Sequence, residues 1–305
     1  MKKILSLLVF GLGLTISAIA QDAAPAEKTA AKPKYTKNTF SGTKIINFQS
    51  TEMVGKGYLQ FMISHHFGNL WNKDASTGQN FAQMLGLNSG IAHTYLSFDF
   101  TPTKFLNVGL AATGSARFEG WAKFKILRQQ TGLKNVPVSV AWVSLFNVDA
   151  NTKAPDELTW NKFSYLHQLL IAHKFSEKFS LQLSPTVVHY NEVPYGKNNT
   201  NNIFSMGIAG KYKMTPKRNM TFEYSRQFNM YENVLDKNGN ILNYQPDLLS
   251  LGLEFNTSGH VFQFFLVTTT AASTIEQLTR NTNSLKKMQF ALGFSLNRAL
   301  SLAKQ

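Results

Sequence analysis

Apolar and polar residues alternate along most of the chain, in stretches of about ten residues that are separated by gaps rich in Gly, Asn, Pro and Lys. In residues 249–256 every second residue is Leu or Phe, and the residues between them are Ser, Gly, Glu and Asn. Residues 288–297 repeat this pattern with Met, Phe and Leu. A period of two residues sends successive side chains to opposite faces of a β-strand, so each stretch predicts a strand with one apolar face.

Twelve stretches of this kind predict twelve strands. They span residues 58–67, 91–101, 104–113, 118–127, 136–147, 161–175, 178–190, 202–213, 219–228, 249–256, 260–269 and 288–297. The gaps are alternately short, as at residues 176–178, and long, as at residues 270–287; only residues 114–117 are short where a long gap is due. Even strand counts with tight periplasmic turns and longer external loops are typical of outer-membrane barrels.

We therefore predict an all-β protein, an antiparallel up-and-down transmembrane β-barrel of about 12 strands. A soluble β-sandwich or lipocalin-like barrel is the alternative, but its surface strands should carry more Lys and Glu. The charged fraction of 16% lies below the roughly 25% of ordinary soluble domains. Contact of one strand face with lipid would explain this deficit.

The N-terminal residues predict export from the cytoplasm. Lys2 and Lys3 precede an apolar core, and Ala18-Ile19-Ala20 is a small-x-small cleavage site. An uncleaved anchor is the alternative, although the apolar segment is short for a membrane-spanning helix. We predict a signal peptide over residues 1–20, a periplasmic N-terminal tether and lead-in segment over 21–56, the barrel over 57–298 and a C-terminal tail over 299–305.

Charge and cysteine content narrow the possible functions. The chain has no cysteine, which excludes disulfides, thiol nucleophiles and Cys-ligated metals. Its formal net charge of +14 raises the question of nucleic-acid binding, but no nucleic-acid motif accompanies it and we predict no such partner. Basic residues instead gather at the predicted periplasmic rim, where Glu177 is the only acid. They are Lys104, Arg128, Lys134, Lys174, Lys178, Lys213, Lys217, Arg218 and Arg298. Such a rim matches the anionic headgroups of outer-membrane lipid.

Polar residues on one face of the second and fourth predicted strands are the candidates to line the lumen. These candidates are His93, Tyr95, Asp99, Arg117, Glu119, Lys123 and Lys125. The charged ladder on the fourth strand would select anions in an open pore, or would neutralise itself within a plugged one. The sequence leaves both alternatives open.

No residue pattern predicts catalysis or a cofactor. The seven histidines lack metal-binding spacing, and the chain has no Walker loop, dinucleotide fingerprint or Gly-x-Ser-x-Gly elbow. His65 and His66 point to opposite faces of one strand, so at most one of them can enter the lumen. We predict no enzyme activity, no catalytic residue, no metal and no cofactor.

Five stretches of the chain resemble the signature sequences of a family of Gram-negative outer-membrane β-barrels known only as a domain of unknown function. The stretches are Phe40-Ser41-Gly42-Thr43-Lys44-Ile45-Ile46-Asn47, His65-His66-Phe67-Gly68, Lys123-Phe124-Lys125-Ile126-Leu127-Arg128-Gln129, Leu181-Gln182-Leu183-Ser184-Pro185 with His189, and Gly259-His260-Val261-Phe262-Gln263. The resemblance implies a barrel in the outer membrane and no activity. It singles out His65, Phe67, Gly68, Gln182, Pro185, His189, Gly259 and His260 as family-motif residues.

Three functions are compatible with a barrel of this size. A channel for a small solute is expected because twelve strands enclose a wider interior than the eight that side chains can fill. The alternative is a structural or docking barrel that binds another envelope protein. A remote alternative is an outer-membrane lipid hydrolase, which needs a nucleophile and a base at the outer rim.

Overall fold

Twelve antiparallel strands close into a barrel in the computed structural model, which describes residues 32–87, 93–150, 159–194, 198–235, 238–257 and 259–302. The strands are β1 (Tyr58–Asn69), β2 (His93–Thr103), β3 (Leu106–Thr113), β4 (Arg117–Leu127), β5 (Ser139–Asp149), β6 (Phe163–Lys174), β7 (Phe179–Tyr190), β8 (Asn202–Thr215), β9 (Arg218–Gln227), β10 (Asp247–Asn256), β11 (His260–Val267) and β12 (Ala291–Ser301). The last strand pairs with the first, with Phe294 opposite His65. Closure leaves no open edge on the sheet.

The predicted fold class, strand count and strand order are confirmed. Most strand ends differ from the prediction by one to four residues, and two of these differences have identifiable reasons. Residues 288–290 precede β12 instead of starting it; Met288 has a φ of 52°, a left-handed conformation that an extended strand does not use. Residues 136–138 precede β5, and Pro137 has no N–H to donate to a strand ladder. The predicted signal peptide at residues 1–20 lies outside the described residues.

Each strand presents apolar side chains to the outside of the barrel and polar ones to its inside. Leu110 and Phe264 on the outer face are 65% and 60% exposed, whereas Ser97, Gln182 and Thr221 on the inner face are buried. This is the arrangement of a cylinder surrounded by hydrocarbon. Neither helix in the described part of the chain is long and apolar enough to cross a bilayer.

The two ends of the barrel differ in their connections. Tight turns such as the one between β6 and β7 lie at one end, called the tight-turn end. The other, the long-loop end, carries α1 (Thr77–Met84) after β1 and α2 (Thr274–Thr279) after β11. Ser76 begins α1, because its side chain accepts from the Gln79 amide at 3.2 Å while the Gln79 side chain accepts from the Ser76 amide at 2.8 Å.

Two segments fill the interior of the barrel. The N-terminal plug (residues 39–51) is almost entirely buried, with Phe40, Ile45 and Phe48 each 2–3% exposed. The inward loop (residues 268–284), which carries α2, is largely buried as well. Before the plug, Lys34–Tyr35 pairs with Gln130–Thr131 at the tight-turn end. Residues 39–51 therefore lie inside the barrel, although the sequence predicts a periplasmic tether and lead-in segment over 21–56.

Candidate functional site

The N-terminal plug is a tight hairpin that is centred on one carboxylate of the wall. The Ile45 amide donates to the Phe48 carbonyl at 2.9 Å, which closes the turn. Glu223 on β9 accepts from the amides of Ile46 at 2.7 Å, Asn47 at 3.0 Å and Phe48 at 2.9 Å. Successive backbone N–H groups that converge on one anion form a strong, charge-assisted site. Glu223 therefore fixes the tip of the plug.

Long polar side chains from other strands hold the rest of the plug by its backbone. The Lys123 ammonium donates to the Thr43 carbonyl at 3.0 Å. Gln182 accepts from the Thr51 amide at 3.1 Å and donates to the Gln49 carbonyl at 2.8 Å. Gln263 donates to the Ile45 carbonyl at 2.8 Å. Because the barrel wall bonds to the plug backbone, the plug has one defined position in the lumen.

Two glycines on the inner wall make room for the apolar side chains of the plug. A Cβ atom at Gly207 would lie 2.7 Å from the Phe48 ring, and one at Gly252 would lie 3.1 Å from the Cδ1 atom of Ile46. Cβ contacts below 3.0 Å essentially never occur. The wall at Gly207 is therefore shaped to the plug.

The inward loop is held by a second wall carboxylate. Glu119 on β4 accepts from the Thr274 amide at 2.7 Å and from the Ser273 hydroxyl at 2.9 Å. At the other end of α2, the Tyr190 hydroxyl lies 2.6 Å from the Thr279 hydroxyl. The loop is thus tied to the wall at two strands, β4 and β7, which lie three places apart in the ring of twelve.

The plug and the inward loop meet in the lumen. The Lys44 ammonium donates to the Thr274 hydroxyl at 3.2 Å. His66 Nε2 lies 3.0 Å from Asn47 Oδ1 and 3.4 Å from Gln277 Nε2. Burial lowers the pKa of Lys44, although the nearby carboxylates of Glu119 and Glu223 oppose this change. The two segments thus form one connected polar network that fills the lumen.

The buried charges of the lumen nearly cancel within the part of the chain that the structure describes. Its buried lysines and carboxylates are Lys44, Lys123, Lys211, Asp99, Glu119, Glu223 and Glu254, which are three cations and four anions. The sequence left two alternatives for the charged ladder of β4, an anion-selective open pore and a self-neutralised plugged lumen. This arrangement corresponds to the plugged lumen.

The residues expected to line the lumen all lie on inward-facing strand positions, at three levels. Tyr95, Asp99, Glu119 and Lys123 are buried, and the Tyr95 hydroxyl donates to Glu119 at 3.3 Å. His93 and Arg117 line a cavity at the long-loop end. Lys125 lies near the tight-turn end and is half-buried.

The sequence reasoning missed the charged residues that hold the plug from the later strands. Glu223, Glu254 and Lys211 are all buried on inward-facing positions. A charged residue in the middle of a strand that is otherwise apolar on alternate positions is the signal that could have identified them.

The family-motif residues divide between the two faces of the barrel wall. His65, Phe67, Pro185 and His189 lie on the outer face, whereas Gly68 and Gln182 lie on the inner face. Gly259 belongs to the tight turn before β11 and has a φ of 137°. His260 is the first residue of β11, and its ring stacks on Phe262.

The five stretches that carry the family resemblance converge on the plug. Residues 40–47 are the plug itself. The other four stretches contribute His66, Lys123, Gln182 and Gln263, and each of these side chains contacts a plug residue. The stretches are far apart in the sequence, and only the closed barrel brings them together.

One Ser–His contact lies on the outer face of the barrel. Ser144 Oγ lies 3.1 Å from His167 Nδ1 and accepts from the Trp142 indole at 2.9 Å. Ser144 stands five residues from each end of β5, about 17 Å along the strand at 3.4 Å per residue. This is near the middle of a hydrocarbon core about 30 Å thick, away from water and lipid esters. The contact satisfies polar groups that would otherwise face lipid.

No group of three or more His, Cys, Asp or Glu residues is placed to hold a metal ion within the described ranges. Backbone and amide groups take up most of the interior carboxylates, as with Glu223 and Glu119. The plugged lumen is therefore the candidate functional site.

Comparison with known proteins gives one family and several structural neighbours. The model of the family described as "membrane bound beta barrel domain (DUF5777)" matches residues 40–300. The NanC porin structure is similar with a TM-score of 0.51 and 7% identity, over 79% of this chain and 100% of that one. The CymD monoaromatic hydrocarbon channel has a TM-score of 0.37 and 11% identity, over 82% of this chain and 90% of that one.

A mutant porin of Rhodopseudomonas blastica has a TM-score of 0.31 and 9% identity, over 68% of this chain and 55% of that one. At these identities the likeness to the NanC porin concerns the fold alone, and the lower TM-scores carry no further conclusion. The comparison with curated protein sequences finds no match.

Proposed function

Because the chain belongs to the family of membrane bound beta barrel domains, we propose that it is an outer-membrane channel of a Gram-negative bacterium whose N-terminal plug closes the lumen. In this proposal a cleaved signal peptide directs export, the tight-turn end faces the periplasm and the long-loop end faces the exterior. The transported species is a small solute.

One observation carries the proposal: hydrogen bonds hold the plug to the barrel wall largely through the plug backbone. Lys123, Gln182, Glu223 and Gln263 all bond to backbone atoms of the plug. Each neutral bond of this kind contributes only about 0.5–1.5 kcal/mol net and each bond to a charged group about 1.5–3 kcal/mol, because water can replace either partner. A plug that is held in this way can leave a polar lumen at moderate cost, whereas a continuous apolar core could not.

Conductance in planar lipid bilayers tests the proposal. Three proteins are compared: the wild type, a variant lacking residues 39–51, and a variant that also has residues 268–290 replaced by an Asn-Gly turn between β11 and β12. We expect rare openings for the wild type and stepwise conductance that increases through the series, because each deletion removes one segment that fills the lumen.

Heat-modifiable migration in gels serves as the control for folding, since a closed barrel stays compact in mild detergent until it is heated. A folded double variant without stepwise conductance would contradict the channel proposal.

A docking barrel is the second candidate, and the near cancellation of buried lumen charges favours it. A non-conducting scaffold has no need of an open pathway, so its lumen can be filled permanently. Isolation of a stoichiometric envelope partner with the wild type, together with no conductance from any of the three proteins, would support this alternative.

A further inference from the structure

Two cavities at the long-loop end share one row of charged side chains. Their volumes are about 320 Å³ and 230 Å³. Arg117, Glu276 and Arg280 line both of them. The row therefore lies between the two cavities, and Glu276 and Arg280 in it belong to the inward loop itself.

The two arginines of this row differ in their partners. Arg117 forms ion pairs with Asp149 at 2.5 Å and with Glu276 at 2.8 Å. These two carboxylates neutralise its charge and fix its guanidinium group. Arg117 is therefore a wall of the cavities and is not available to a ligand.

The described residues give Arg280 no carboxylate in ion-pair contact, although Glu276 lies near enough to attract its charge. In the described ranges no carboxylate lies within 4.0 Å of its guanidinium group. Among the same residues its buried Nε atom has no hydrogen-bond partner, which is also the case for Arg117 Nε. The guanidinium carbon lies 4.6 Å from the centre of the Tyr190 ring. The Arg280 amide donates to the Glu276 carbonyl at 2.8 Å, which fixes the root of the side chain. A positioned guanidinium group without an ion-pair partner is the property of an anion site.

The smaller cavity suits an anion better than the larger one. The larger cavity is lined by three cations and three carboxylates, since Lys162, Asp149 and Glu192 join the shared row. The smaller one is lined by two arginines and a single carboxylate, with His93 counted as neutral, and because Arg117 is already paired, Arg280 is the cation that this cavity offers to a ligand. Thr270 and Thr282 supply hydroxyl groups to its wall, and Ala271 supplies a methyl group.

We propose that Arg280 binds the anionic group of a small organic solute, a carboxylate or a phosphate, in the cavity of about 230 Å³. The edge of the planar guanidinium group can donate to two oxygens of either anion at once. The Tyr190 ring packs against one face of the same plane. That the ligand is a solute from outside the cell rests on the proposed function, in which the long-loop end faces the exterior. Binding itself does not require an open pore.

Calorimetric titration of the purified full-length protein in detergent tests this site. The probes are propionate, propyl phosphate and inorganic phosphate at constant ionic strength, and propanamide serves as the uncharged probe. We expect saturable 1:1 binding of at least one anion and none of propanamide. Arg280→Gln should raise the Kd at least tenfold, and Arg280→Lys should raise it less, because the charge remains while the bidentate geometry is lost.

Arg226→Gln is the matched control, because Arg226 lies at the same end of the barrel but on its exposed outer face. It removes the same charge from a residue that pairs with Asp247 at 3.0 Å. We expect its Kd to equal that of the wild type. An equal loss with Arg226→Gln would mean that overall charge drives binding, which would contradict the proposal.

The remaining outcomes separate the solute classes and the two proposals. Binding of propionate alone assigns a carboxylate, binding of both phosphates alone assigns a phosphate, and unchanged binding by Arg280→Gln overturns the site. If Arg280→Gln fails to fold in the gel assay, Arg280→Lys decides the question. Binding at Arg280 without conductance would contradict the channel proposal and support the anion site. Conductance without binding would support the channel proposal and contradict the anion site.

Discussion

Glu223 and Glu119 are single carboxylates in the barrel wall that each hold a different segment of chain. Glu223 accepts three backbone amides of the plug, and Glu119 accepts the amide that begins α2. A buried donor that loses its partner costs about 1–3 kcal/mol. At the residue scale, these two side chains therefore dominate the placement of what fills the lumen.

Replacement of Glu223 by Ala should loosen the plug. The chain has no native cysteine, so Ser50→Cys is a single reporter inside the lumen, where Ser50 is 0% exposed. We expect Glu223→Ala to raise the rate of maleimide labelling of this cysteine roughly tenfold or more, corresponding to about 1.4 kcal/mol. Glu177→Ala, at an exposed carboxylate in a tight turn, should leave the rate unchanged; equal rates in all three proteins would show that Glu223 does not hold the plug.

Ser144 should contribute to stability and not to chemistry. Ser144→Ala leaves the Trp142 indole and His167 Nδ1 without their partner, so we expect the barrel to lose about 1–3 kcal/mol of stability. The temperature of unfolding in heat-modifiability gels measures this loss. Ser225→Ala is the control, because the buried Ser225 hydroxyl has no partner among the described residues and its removal should cost little. Lipid hydrolysis that Ser144→Ala abolishes would revive the hydrolase alternative.

At the scale of elements, local sequence pattern determines the strands, whereas the shape of the barrel wall determines the position of the plug. Alternation predicts each strand because its outer face meets lipid and its inner face meets the polar interior of the barrel. The plug has no regular period, and it fits because the wall is glycine at Gly207 and Gly252, where Phe48 and Ile46 approach. Its hairpin is therefore held by its fit to the surrounding wall and not by its own propensity.

Gly207→Val should displace the plug from the wall. The new Cβ atom would meet the Phe48 ring at 2.7 Å, and overpacking of this kind typically costs about 1–3 kcal/mol. We expect faster labelling of Ser50→Cys and more frequent conductance steps. At Gly78 in α1 a Cβ atom would meet nothing within 4 Å, so Gly78→Val is the matched control, and an effect as large there would contradict the interpretation.

At the scale of the whole molecule, charge is distributed along the barrel axis. The basic residues of the tight-turn end, among them Lys104, Lys134 and Lys217, are exposed. Lys174 pairs with Glu177 at 3.0 Å, and this hydrogen bond lowers the pKa of the Glu177 carboxyl. The interaction of this rim with lipid remains a prediction. It rests on the attraction between surface cations and anionic headgroups, which is worth about 1 kcal/mol for each cation.

Neutralisation of the basic rim should weaken the retention of anionic lipid. The triple variant Lys104→Gln, Lys134→Gln and Lys217→Gln should lower the affinity for phosphatidylglycerol in mixed micelles by roughly tenfold or more, from about 1 kcal/mol per residue. The control is Lys73→Gln, Lys286→Gln and Lys287→Gln, which removes the same charge from exposed positions at the long-loop end. If both triple variants lose lipid equally, net charge and not the rim is responsible.

The sequence by itself determined the fold class, the number and order of the strands and, on the strands where the alternation is clear, the two faces of the wall. Side chains alternate between the two faces of a barrel strand with a period of two residues. Because neighbouring residues alone show this period, the local pattern is sufficient to predict a strand. It also indicated the inward positions of Tyr95, Asp99 and Lys123.

Only the tertiary structure decided that the lumen is filled. Glu223 holds Ile46 across 177 positions of sequence, and Glu119 holds Thr274 across 155. No local pattern encodes such pairs, because they depend on the diameter and closure of the cylinder. The same is true of the ion pair between Glu276 of the inward loop and Arg117 on β4, which leaves Arg280 without a carboxylate in ion-pair contact among the described residues.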